Sequence, residues 1–172
     1  MFPAQPGSYV LHLFLEADQD LQVGKLGAHH LPAGHYLYTG SACGPGGLQT
    51  RVNRHILKQG QPHWHIDYLR PAARAVGVYY TLDTVMAGYQ PWECSWSQRL
   101  VALPEACLPV PGFGASDCHR QCPAHLIAFP AHRSDYPSKN IEQAICVGGV
   151  AVDYIQIYSL PDPFIDRANE VK

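Results

Sequence analysis

The chain has 172 residues, the size of one domain or of one domain with an appended piece. Its formal net charge is −2, with 15% charged and 47% hydrophobic residues, which excludes a disordered polyelectrolyte and a basic protein that grips nucleic acid by bulk charge. Apolar runs such as Val76–Tyr80 are too short to span a bilayer, and Pro3 and Pro6 interrupt the segment where a secretory signal would lie. A cytoplasmic location without membrane contact is therefore expected, and with it reduced thiols at Cys43, Cys94, Cys107, Cys118, Cys122 and Cys146.

In chain order, Tyr9–Leu15 reads as a buried strand, because its apolar residues barely alternate with polar ones. Asp18–Asp20 is a polar turn, Leu21–Val23 a short return strand and Gly24–Gly34 a loop. Tyr36–Thr39 is again strand-like, so the first three strands are expected as an antiparallel meander. After a glycine-rich stretch, Leu48–Lys58 places Leu48, Val52 and Ile56 on one helical face, and Gly60 and Pro62 end it. His63–Leu69 is a short helix or turn stopped at Pro71, and Ala75–Leu82 another strand. Trp92–Leu103 is a helix with Pro91 near its start, 109–123 a loop and Leu126–Phe129 a short strand. Beyond Pro130 come polar turns, then two strand-like runs within Ala144–Leu160 around Asp153. Residues 1–133 are expected as the main domain. Residues 134–172 are too short for a core of their own and are expected as an extension packed on it.

Chemistry concentrates where the Tyr36–Thr39 strand runs through a glycine loop into the helix carrying Arg51, Arg54 and His55. Arg51 and His55 are four residues apart and share a helical face, so they can point at one ligand. The N-terminus of that helix, next to Gly47, favours an anion through its free N–H groups and dipole, and an arginine beside it can hold a phosphate twice. The alternative is a surface helix with ordinary solvated charges and tyrosines covering a small core.

Several short motifs in order carry a resemblance. Gly7-Ser8-Tyr9 and Tyr38-Thr39-Gly40 are followed by Arg51 and His55 on a helix, and by Glu93 on a later one. With these come Pro32-Ala33-Gly34, Gly44-Pro45-Gly46-Gly47-Leu48, His63-Trp64-His65-Ile66-Asp67-Tyr68-Leu69 and Pro111–Cys118. On them the chain resembles the GIY-YIG nuclease superfamily, and within it a prokaryotic branch of small uncharacterised proteins, over about residues 7–129.

The resemblance implies an α/β (α+β) fold. Its core would be a central three-stranded antiparallel sheet of Tyr9–Leu15, Tyr36–Thr39 and Ala75–Leu82 flanked by helices; the C-terminal extension lies outside the resemblance, and its own strand-like runs are expected to add strands. It also implies a metal-dependent endonuclease hydrolysing nucleic-acid phosphodiester bonds, on DNA in preference to RNA, with one Mg²⁺ or Mn²⁺ on Glu93. In that scheme Arg51 neutralises phosphoryl charge, Tyr9 or Tyr38 positions or deprotonates the attacking water, and His55 relays the proton or binds phosphate. Gly40, Gly47, Arg54 and His65 are the candidate phosphate and substrate contacts. Tyr9 and Tyr38 stand 29 residues apart, wider than in typical members, so Glu16–His35 is expected as extra turns or a lid. Positive charge clusters only at Arg51, Arg54, His55 and Lys58, so binding is expected to be weak or structure-selective, or else to call on a protein partner. A non-catalytic nucleic-acid or protein interaction module on the same fold is the alternative.

A separate signal lies in Cys118, Cys122 and His125, three potential zinc ligands, with Cys94, Cys107 or His119 as a fourth. The spacing is only partly zinc-like. Buried free thiols are the preferred reading, and a structural Zn²⁺ the competing one.

Overall fold

The segment SYVLHLFL forms β1 (Ser8–Leu15), and its near-continuous burial has a simple cause: both faces of the strand are covered. Tyr9, Leu11, Leu13 and Leu15 point into one apolar cluster and Val10 into a second on the opposite side, following the two-residue period of a strand. β4 (Gly34–Ser41) pairs with β1 antiparallel and repeats the pattern, with Tyr36 and Tyr38 on the first face and Leu37 on the second. This is a computed structural model that describes residues 1–57, 60–83, 91–131, 138–147 and 150–157.

The main sheet has five strands, not three. β5 (Arg74–Thr81) pairs with the other edge of β1; β6 (Leu126–Pro130) extends the sheet beyond β4, and β7 (Asp153–Gln156) extends it beyond β5. The order is β6-β4-β1-β5-β7, and every pairing is antiparallel. The three expected strands are thus the centre of a wider α+β sheet. β6 was legible as a strand but not as a partner of β4, because that pairing joins residues about 90 positions apart and leaves no local signature.

The expected meander is also replaced. β1 and β4 pair directly, and the intervening residues form a separate hairpin of β2 (Gln19–Gln22) and β3 (Ala28–Leu31). Val23 and Leu31 anchor this hairpin in the first cluster.

Helix α1 (Gly47–Ile56) buries Leu48, Val52 and His55 on the first face of the sheet. The short α2 (Ile66–Leu69) lies on the same side. α3 (Trp92–Val101) and α4 (Ser138–Ile145) cover the second face, where Trp92, Trp96 and Leu100 meet Ile141 and Ile145. The Trp96 indole N–H donates to the Ile145 carbonyl at 3.0 Å and ties the two helices together. Of the strand-like runs expected in 144–160, the first is the end of α4 and the second contains β7, while 158–160 lie outside the described residues. No helix among the described residues is long and apolar enough to cross a membrane.

Candidate functional site

Where β4 ends and α3 begins, a cavity of about 430 Å³ opens, with Tyr9, Tyr38, Arg51 and Glu93 in its walls. They arrive from β1, β4, α1 and α3, so the fold brings together residues that are far apart in the chain. Tyr9 and Tyr38 sit on neighbouring strands of the same face with ring centroids 6.3 Å apart. Gly40 stands opposite Tyr9 in the β1–β4 register, and a Cβ there would lie 2.6 Å from the phenol ring. Gly40 therefore contributes empty space that lets the Tyr9 side chain cross β4.

His55 lies behind Tyr9. Its Nε2 shares a 2.9 Å hydrogen bond with the Tyr9 hydroxyl, and its Nδ1 is 3.9 Å from Asp67. Burial, then the positive charge of Arg70, lowers His55 to about 3 despite Asp67, so the imidazole is neutral at physiological pH. Burial holds both tyrosines above the usual phenol range. Tyr38 raises Tyr9 further, while Arg51 pulls each of them back.

The Arg51 guanidinium lies over the Trp64 ring at 3.9 Å from its centroid. A stacked guanidinium is oriented, with its N–H edge left for a ligand. Glu93, in the first turn of α3, has a buried Oε2 with no hydrogen-bond partner. Burial raises its pKa, as does the Asp117 carboxylate, against the Ser41 hydrogen bond and Arg51. Ser41, Trp64 and Asp117 also line the cavity; Trp64 and Asp117 stand inside the quoted motifs but were given no role there. Ser41 follows the Tyr-x-Gly triplet directly, so its position was the nearest available signal.

The remaining candidates lie elsewhere. The N-terminus of α1 offers no free anion site, because the N–H groups of Gly47, Leu48, Gln49 and Thr50 donate to the carbonyls of Gly44, Gln5, Pro3 and Gly46. A Cβ on Gly47 would strike the Gln5 carbonyl at 2.0 Å, so Gly47 admits the N-terminal segment and not a phosphate. Arg54 is spent on the Gln61 carbonyl at 2.8 Å and on Asp67 at 3.1 Å. Lys58 lies outside the described residues. His65 accepts the Gly114 N–H at 2.9 Å and so holds the loop that closes one side of the cavity. The Glu16–His35 insertion contributes nothing to the cavity lining; Gly24 in its hairpin packs toward the Tyr68 ring of α2.

Asp67 is the hub beneath the site. Its side chain is fully buried, accepts the N–H groups of His63 and Trp64 at 2.8 and 3.1 Å, and pairs with Arg54 and with Arg70 at 2.9 Å. It thereby fixes Trp64 against α1, and Trp64 in turn orients Arg51.

In the wall of the same cavity, Cys94, Cys118 and His125 join Cys122, and the four bring one ligand atom each to within 4.8 Å of the others, a group that could hold a metal ion. Cys94 immediately follows Glu93 in α3, whereas the other three arrive on the segment leading into β6. Of the three fourth ligands weighed from the sequence, Cys94 is the one in the cluster.

Comparison with protein families corrects the resemblance drawn from the motifs. The family model that matches is described as domain of unknown function DUF123, over residues 8–146, and no GIY-YIG family model matches. The matched range runs past residue 129 and takes in α4, beyond the span of the motifs; short motifs constrain few positions and carry little family specificity. Comparison with curated proteins and with solved structures finds no match. With most of its length inside one family model, the chain belongs to the DUF123 domain family.

Proposed function

We propose that the cavity is the hydrolytic site of a divalent-cation-dependent phosphodiesterase acting on nucleic acid, DNA in preference to RNA. The observation that carries this reading is the meeting of Tyr9, Tyr38, Arg51 and Glu93 in one concavity from four separate elements. The orphaned buried oxygen of Glu93 suits a hard cation, which would reverse the upward push on its carboxyl. Glu93 would hold Mg²⁺ or Mn²⁺, ions that keep several waters and need few protein carboxylates. When bound, the cation supplies Lewis-acid polarisation of the phosphate and stabilises the leaving oxygen.

The other groups act without it. Arg51, held flat by Trp64, neutralises charge growing on the phosphoryl oxygens. Tyr9 is favoured over Tyr38 as the group that takes the proton of the attacking water, because Tyr9 has an acceptor behind it. As the water proton reaches the Tyr9 oxygen, the Tyr9 proton passes to His55 Nε2, and the Asp67 carboxylate offsets the imidazolium. Tyr38 positions the water from the other side. With Arg51 and Arg120 the arginines among the lining residues and a net charge of −2, grip on long duplexes is weak and salt-sensitive.

The test is cleavage of single-stranded, duplex and branched DNA, and of RNA, with Mg²⁺ or Mn²⁺. Wild type should cut at least one of these about 100-fold faster than Arg51→Ala or Glu93→Gln. Identical background cleavage by all three would leave a non-catalytic binding module as the function of the fold.

A further inference from the structure

We propose that Cys94, Cys118, Cys122 and His125 form a tetrahedral zinc site that staples the irregular 107–125 segment to α3 and so builds one wall of the cavity. The geometry is the first support. Tetrahedral Zn²⁺ with thiolates at about 2.3 Å separates its sulfur ligands by about 3.8 Å. Here Cys94 Sγ lies 3.6 Å from Cys118 Sγ and 3.9 Å from His125 Nε2. All six cysteines are free thiols, so the cluster is not a collapsed disulfide.

The surroundings are those of a metal site. Cys94, Cys122 and His125 are buried and Cys118 is half-buried. Gln98, one turn after Cys94 on α3, donates its amide N–H to Cys122 Sγ at 3.8 Å, and backbone N–H groups of Arg120 and Cys122 reach Cys118. N–H donors of this kind stabilise thiolates and orient them for a metal. Gln121 adopts a left-handed φ of 54°, which tightens the turn enough for Cys118 and Cys122 to face the same point.

Between Val101 and Leu126 the segment has no helix or strand beyond the isolated Cys107–Ala128 bridge, and is held by loop-spanning bonds such as Gly112 N–H to the Pro123 carbonyl and His125 N–H to the Phe113 carbonyl, both 2.7 Å. The Ser97 hydroxyl of α3 donates to the Ala124 carbonyl, and a metal ion at the cluster would add a second tie to that helix. From this segment Gly114, Asp117, His119 and Arg120 line the cavity. A zinc ion at the cluster joins this wall covalently to the helix that carries Glu93. Three thiolates and an imidazole select zinc over the hard cation assigned to Glu93. The zinc site stands independently of the hydrolase reading, since it is detected without substrate.

The experiment is metal analysis of the purified full chain together with Co²⁺ substitution. One zinc per chain is expected, and the Co²⁺ form should show intense thiolate-to-metal charge-transfer absorption with a tetrahedral d–d spectrum. Cys122→Ser should lose most of the zinc and melt about 5–10 °C lower. Two further variants keep the result interpretable if Cys122→Ser does not fold. His125→Cys should retain the ion in an all-thiolate site, and Cys107→Ser, outside the cluster, should retain it unchanged. Protein without stoichiometric zinc, or a Co²⁺ spectrum lacking charge-transfer bands, overturns the proposal. Loss of cleavage in Glu93→Gln with zinc retained bears only on the hydrolase.

Discussion

Replacing Asp67 by alanine should be among the most damaging single changes in this protein. The carboxylate is fully buried, accepts two backbone N–H groups and pairs with Arg54 and Arg70, and the Arg70 side chain is itself only 3% exposed. Removing one partner of such a buried pair strands the other charge, at a cost of about 3–5 kcal/mol. Domain stabilities run to about 5–15 kcal/mol, so this is a large share of the total. At about 2–4 °C per kcal/mol for a chain of this size, the melting temperature should fall by about 6–20 °C. Thermal and urea unfolding followed by circular dichroism measure it directly. Asp67→Leu combined with Arg70→Met, which removes this pair and keeps bulk, should recover only the part of the loss due to the stranded Arg70 charge, because Arg54 and the His63 and Trp64 N–H groups still lack their acceptor. A cost below about 1 kcal/mol for Asp67→Ala, the value of a surface ion pair, would refute the reasoning. The pH dependence has a definite sign: Asp67 is held below its usual range in the folded state, so its contribution is present above the unfolded pKa near about 3.9 and disappears as pH falls through the folded value.

Acid should destabilise the fold before Asp67 titrates. His12 and His55 are lowered to about 3, chiefly by burial, with His35 and Arg74 facing His12, and Arg70, Asp67, Arg51 and Arg54 facing His55. The unfolded chain takes up these protons first, so stability is complete above about pH 6.5 and falls toward pH 3 by up to about 2.7 kcal/mol per pH unit for two protons. Urea midpoints measured from pH 8 to 4 should fall with pH in this sense, and His12→Asn should make the slope shallower; a flat profile to pH 4 would contradict neutral buried histidines. Gly40→Ala should cost about 1–3 kcal/mol by driving a methyl against the Tyr9 ring, and should displace the Tyr9 resonances in an NMR spectrum more than those of Tyr154. Trp64→Ala should release Arg51 and weaken binding of a short oligonucleotide severalfold while leaving zinc content unchanged.

Much of the scaffold was legible in local sequence. β1, β4 and β5 announce themselves as apolar and aromatic runs, and α1 and α3 by Leu48–Val52 spacing and by Pro91 and Pro104 at their borders. α4 was missed because its periodic signal rests on little more than Ile141 and Ile145 after a polar stretch. Sheet membership of β6 and β7 depends on pairing distant in sequence, which composition does not encode. The same holds at the site. Tyr9, Tyr38, Arg51 and Glu93 could be named singly, but the use of the α1 N-terminus by Pro3 and Gln5 depends on where the chain's first residues fold back. Cys94 joins the cysteine cluster from 24 residues upstream of Cys118, which no short spacing rule captures.

The most direct test of the proposed hydrolytic function is the Mn²⁺ dependence of the single-turnover cleavage rate on a branched DNA, compared between wild type and Glu93→Gln. Saturable dependence in wild type is expected, with a rate at least about 100-fold lower in Glu93→Gln at equal Mn²⁺ and with zinc content and melting temperature unchanged. Equal rates in the two proteins across the titration would contradict a cation held by Glu93 as the source of the activity.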